Sequence, residues 1–236
     1  SGRDGDPADF SFVHQYAHAL INQHFSLVAL MSDAPNMDAA RARDALLEGD
    51  ATMVLAIHGF GGVAQADLDA LAEHLYEVEL TDYEGLPLSR DMRDVYAFPY
   101  REGARFVAAL LDDGWWLAVN AAYLDPPIST EQILHPEKYI ETPRDMPRMV
   151  FLPDLGEDLG EGWQFVGEYV LGELILRAHL DKYLPDTSEA QTAAAGWDGD
   201  LAVIWQDLDG RNVLVMRSVW DNTTEADEFV RSYTTL

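Results

Sequence analysis

Two histidines four residues apart, His14 and His18, lie in the run FSFVHQYAHALINQHF and constrain the fold more than any other feature of this chain. Only a helix puts residues i and i+4 on one face with both rings able to reach a common point. The flanking residues agree. Phe10, Val13, Ala17, Leu20 and Ile21 repeat at 3.6-residue spacing and predict a helix over 9–28. Two imidazoles do not complete a zinc site, so a second element must bring a third donor.

The chain has no cysteine, so that donor is a His, Asp or Glu, and disulfides are excluded. The segment Leu47-Glu48-Gly49-Asp50-Ala51 supplies a candidate within a second predicted helix, 38–57, which Gly59-Phe60-Gly61-Gly62 ends. Glu48 lies far enough beyond His18 for one loop and an antiparallel return. Gly49 would let two helix backbones approach closely. Asp50 sits about 200° around the helix from Glu48, which argues against both being ligands. Asp44, one turn before Glu48, is placed to orient a histidine.

His14, His18 and Glu48 carry a resemblance to the glutamate-type zincins, metallopeptidases with an H-E-x-x-H helix and an N-E-G-x-A helix. The chain is more closely similar to bacterial and archaeal proteins with a peptidase-like domain that read V-H-E-x-x-H-A-L-Q-D-Q-H-F, A-L-x-E-G-D-A and S-T-E-Q-I-L-H-P-E-K-Y. The matching stretches are Val13 to Phe25, Ala45 to Ala51 and Ser129 to Tyr139, with Gly196-Trp197-Asp198-Gly199-Asp200 and Trp220-Asp221 extending the likeness over nearly the whole chain. The resemblance implies a single zincin-like domain over 1–236 and zinc on His14, His18 and Glu48. It also implies a cleft for a peptide or protein ligand, and an extracellular or cell-envelope location, although no signal segment is visible.

One letter departs from the pattern. Gln15 stands where the family has the Glu that takes a proton from metal-bound water. Gln has the same shape but no usable pKa, and general-base help is worth about 10²–10⁴-fold. The expectation is therefore a zincin-like domain with weak or no hydrolysis. The alternatives are a hydrolase with a substitute base, for which Asp50 and His135 are the visible candidates, and a metal-free structural or interaction domain. His135, Tyr139 and Tyr100 are candidates to stabilise an oxyanion from outside the metal helices. His24, His58, His74 and His179 read as structural, and the six tryptophans as core.

The remaining pattern predicts a mainly helical α+β fold. Helices are expected at 65–80, 101–112 (stopping before Gly114), 163–183 and 224–233. Two strands within 201–220 should join at Asp207-Leu208-Asp209-Gly210. From 124 to 162 prolines, glycines and acids predict an ordered loop draped over the site. Its acidic stretch Asp154–Asp158 lacks calcium-loop spacing. The opening Ser-Gly-Arg-Asp-Gly-Asp-Pro reads either as an expression scar or as the frayed edge of a longer protein, of which this chain would be the C-terminal part.

Charge excludes partners. Forty-two acidic against fifteen basic side chains give −27, and only Lys138 and Lys182 are lysines. Nucleic acid requires clustered Lys and Arg, so it is not an expected partner. No apolar run is long enough to insert in a membrane. Such an acid-rich, lysine-poor surface suits high salt, where self-repulsion is screened, and equally fits an ordinary soluble protein from a GC-rich genome. The oligomeric state is not legible.

Overall fold

The structure, a computed structural model, describes residues 7–62 and 89–236, with the side chains of 7–11 left aside. The helix expected at 65–80, with His74, lies outside the described residues. Among those described, the elements are α1 (Pro7–His24), α2 (Leu27–Ser32), α3 (Met37–Gly59), α4 (Arg90–Leu124), α5 (Thr130–Leu134), α6 (Pro136–Ile140), α7 (Gly156–Leu159), β1 (Gln164–Tyr169), α8 (Gly172–Tyr183), α9 (Thr187–Ala194), β2 (Trp197–Gln206), β3 (Asn212–Trp220) and α10 (Thr223–Tyr233). The protein is α+β, mainly helical, with a small C-terminal antiparallel sheet. No described helix is long and apolar enough to cross a membrane.

The chain divides into two compact units: Ser1–Pro35 with Ala39–Asp145, and Asn36–Asp38 with Met146–Leu236. In the first unit α3 and α4 form the centre. Ala42, Ala45, Leu46 and Met53 of α3 are fully buried, as are Ala104, Phe106 and Val107 of α4. The two helices touch backbone to backbone. A Cβ on Gly49 would lie 2.2 Å from the carbonyl carbon of Gly103, and one on Gly103 would lie 2.2 Å from the carbonyl oxygen of Ala45. Glycine at both positions is what permits this crossing. The stop expected before Gly114 is a break rather than an end. Gly114 and Trp115 leave helical geometry, Trp115 with φ 58°, and helix resumes to Leu124. Trp115 is exposed, not core.

The STEQILHPEKY stretch, expected as irregular loop, folds into α5 and α6 and is held by its own polar groups. Ser129 Oγ accepts from Gln132 N at 3.3 Å, capping α5. Buried Gln132 accepts from Ile128 N and donates to the Asp145 carbonyl at 2.6 Å. Lys138 Nζ reaches Glu131 at 2.5 Å and Asp145 at 3.1 Å. Pro136 occupies the first turn of α6, where a missing N–H costs nothing.

In the second unit β1, β2 and β3 lie in sequence order, all antiparallel, with Phe165 opposite Trp205 and Val203 opposite Val215. The expected helix at 163–183 is thus β1 followed by α8. Leu176, Leu180, Ala190, Ala193, Trp197, Trp220 and Phe229 form the core of this unit. The Gly196–Asp200 signature is its keystone. Asp200 accepts from Leu171 N, Gly172 N and Trp197 Nε1, each at 2.9 Å, and so caps α8 from the sheet. Asp198 holds Arg148 at 2.7 Å. Gly199, at φ 149°, leaves room for the Arg148 carbonyl, which a Cβ would meet at 2.3 Å.

Candidate metal centre

α1 presents His14 and His18 one turn apart, and α3 brings Glu48 against them. His14 Nε2 lies 3.0 Å from His18 Nε2 and 3.1 Å from Glu48 Oε2, and His18 Nε2 lies 3.3 Å from the same oxygen. The three atoms form a nearly equilateral triangle. Donors around a tetrahedral ion at zinc-like distances of about 2.0–2.1 Å stand about 3.3–3.4 Å apart. An ion at that distance from all three atoms would sit about 1 Å above their plane, leaving its fourth position open.

Hydrogen bonds alone do not satisfy this triangle. With Glu48 ionised and one proton per imidazole at most on Nε2, no assignment puts a linear hydrogen bond on every edge. Either two N–H groups face each other or a bare nitrogen faces the carboxylate. A central cation satisfies all three lone pairs at once. Burial opposes ionisation of Glu48, but hydrogen bonds from His14 and His18 outweigh it and hold the carboxyl at about 2. All three side chains are about one-fifth exposed or less, so the site is open to ligand yet sheltered. Two imidazoles with one carboxylate suit zinc and its neighbours rather than calcium or magnesium, which take oxygen donors.

The surroundings sort the other candidates. Gln15 is exposed on α1. Tyr100 of α4, half-buried, has its ring centroid 6.4 Å from that of His14, so α4 contributes an aromatic wall beside the triad. Tyr139 donates its hydroxyl to the Asp125 carbonyl at 2.8 Å, packs edge-on against Phe106 and carries the Arg144 guanidinium 4.0 Å above its ring. That phenol pins the loop after α4. His135 sits between α5 and α6, with Nδ1 3.8 Å from Glu137. Three groups of the site were therefore visible as a set in sequence, while Tyr100 was one of three alternatives and owes its position to α4.

Asp44 and Asp50 are both near enough to His18 to feel it, but neither belongs to the ligand triangle. Burial, then the charge of Glu48, raises the Asp44 carboxyl. Burial pushes Asp50 up to about 6 against the Tyr123 hydrogen bond, which is 2.9 Å long. Burial likewise raises the Tyr123 phenol. Sequence reasoning overlooked Tyr123, seventy-three residues away and without any motif around it. His24 and His58 are exposed at the ends of α1 and α3, and His179 packs between Tyr183 and Tyr233.

Comparison with known proteins reaches the second unit. A family model described as Domain of unknown function (DUF8575) matches residues 163–236, from the start of the sheet to the end of the chain. The match includes the Gly196–Asp200 keystone and leaves out the helices carrying His14, His18 and Glu48. No curated protein and no solved structure matches the chain.

Proposed function

We propose that this chain is a zincin-like domain that holds zinc through His14, His18 and Glu48 and has lost effective peptidase chemistry. The observation that carries the reading is the triangle of donor atoms with edges of 3.0, 3.1 and 3.3 Å, drawn from two helices with matching sequence motifs. Zinc bound there would offer a Lewis-acid position able to polarise a carbonyl oxygen. Gln15 can donate or accept a hydrogen bond near such an oxygen but cannot take up a proton at neutral pH. Binding without turnover follows, with an extended peptide or a protein segment as the ligand and Tyr100 as one wall of its site. The extracellular or cell-envelope location that accompanies the resemblance belongs to the same proposal.

The test is metal analysis and peptide-library turnover on the wild type beside Gln15→Glu. The wild type should retain one equivalent of zinc and cleave nothing, and Gln15→Glu should gain chelator-sensitive cleavage. Failure of equimolar zinc to bind, or binding unchanged by His14→Ala, would overturn the reading.

A further inference from the structure

Asn222-Thr223-Thr224 is a motif that the metal centre does not use. Asparagine followed two residues later by Ser or Thr, with no proline between, is the acceptor sequence for N-linked glycans. Of the five asparagines in the chain, Asn222 alone has a hydroxyl residue at that spacing. The pattern by itself is common, so geometry decides whether the site is usable.

Asp221 and Asn222 join β3 to α10, and Asn222, Thr223 and Thr224 are all exposed. Asn222 caps α10. Its Oδ1 accepts from the backbone N–H of Thr224 at 2.9 Å and from that of Glu225 at 3.2 Å. Both partners are donors, so the atom facing them is the oxygen, and Nδ2 is directed away from them. Asn222 Nδ2 and the Thr224 hydroxyl make no hydrogen bond among the described residues. The two groups that glycan transfer needs are thus the two that the fold leaves free, on one exposed turn. A sugar on Nδ2 replaces one amide hydrogen and leaves Oδ1 in place, so the cap survives the modification.

The geometry points to Asn222 as an acceptor for N-linked glycosylation from a sugar carried on a prenyl phosphate or diphosphate. Nδ2 attacks the anomeric carbon, and the C–N bond forms as the C–O bond to phosphate breaks. The prenyl phosphate leaves with the electron pair, and the amide proton passes to a basic group of the transferase. N-linked acceptors belong to exported chains, so use of the site rests on the extracellular or cell-envelope location proposed above.

The experiment incubates the folded full chain with an oligosaccharyltransferase that requires only Asn-x-Thr, together with its prenyl-linked donor, and reads intact mass. Wild type and Thr224→Ser should gain the mass of one glycan. Asn222→Asp and Thr224→Ala should gain none. Their unfolding midpoints should match wild type, because Asp caps a helix as well as Asn does and Thr224 gives the cap only its backbone N–H. A folded wild type that gains no glycan, or an Asn222→Asp protein that still gains one, would overturn the inference. Intact mass of the chain taken from the producing cell separates this inference from the location. Glycan-bearing chain in the envelope or medium supports both. Unmodified chain there overturns the inference alone, and chain confined to the cytoplasm removes the location and the use of the site with it.

Discussion

Replacing Gly49 by alanine should loosen the crossing that carries Glu48. The added Cβ would lie 2.2–2.7 Å from the carbonyl carbon, oxygen and Cα of Gly103. All three are backbone atoms of α4, so no side chain can swing aside, and the helices must part by more than about 1 Å to reach ordinary contact. Overpacking of this kind costs about 3 kcal/mol at the upper end of its usual range. Alanine returns about 1 kcal/mol through helix propensity. The net loss of about 2 kcal/mol corresponds to a midpoint lower by about 4–8 °C for a chain of this size. Gly59→Ala is the control, since a Cβ there meets nothing within 4 Å. Thermal unfolding by circular dichroism reads both. Because Glu48 precedes Gly49, the variant should also bind zinc more weakly than wild type. A Gly49→Ala protein that melts with wild type and binds zinc equally would refute the backbone-contact argument.

Three further outcomes follow from particular residues. Gly199→Ala drives a Cβ into the Arg148 carbonyl and places alanine at φ 149°, so the midpoint should drop by about 4 °C or more in the same assay. In excess chelator Asp50 should make stability fall as pH rises. Its folded value of about 6 lies above the ordinary 3.8, so its contribution is present below pH 3.8 and lost as pH climbs to about 6. Urea unfolding at pH 4 and pH 7 should therefore favour Asp50→Asn over wild type by up to about 3 kcal/mol more at the higher pH. Finally, a net charge of −27 predicts self-repulsion. Raising salt from 0.1 M to 1 M shortens the screening length from about 10 to 3 Å and should raise the midpoint by several degrees; no rise would remove the argument.

The parts of the fold that could be read in advance are those whose signals are local. The helical spacing around His14 and His18, the alanine-rich run of α3 and the Asp207–Gly210 turn each encode their geometry within a few residues. Glu48 joined the histidines because a motif, not packing, singled it out. β1 was hidden because QFVGEY is short and exposes Phe165 and Val166 on adjacent positions, which breaks strand alternation. Only its pairing with β2 makes it a strand. α9 had a readable start, since Asp186 accepts from Ser188 N at 2.9 Å, yet its small polar residues give little periodicity. Tyr139 stood in a conspicuous motif that invited a chemical role, but its hydroxyl closes a loop. Tyr123 and Asp50 meet only through the tertiary fold, and no sequence spacing links them.

The central claim concerns three donor atoms around one ion, and zinc K-edge absorption of the metal-loaded full chain tests it most directly. The expected spectrum contains two imidazole nitrogens and one carboxylate oxygen at about 2.0–2.1 Å, with one further light donor from water. His14→Ala or Glu48→Ala should remove the ordered shell. An all-oxygen shell at longer distance, or a spectrum indifferent to both substitutions, would contradict the account.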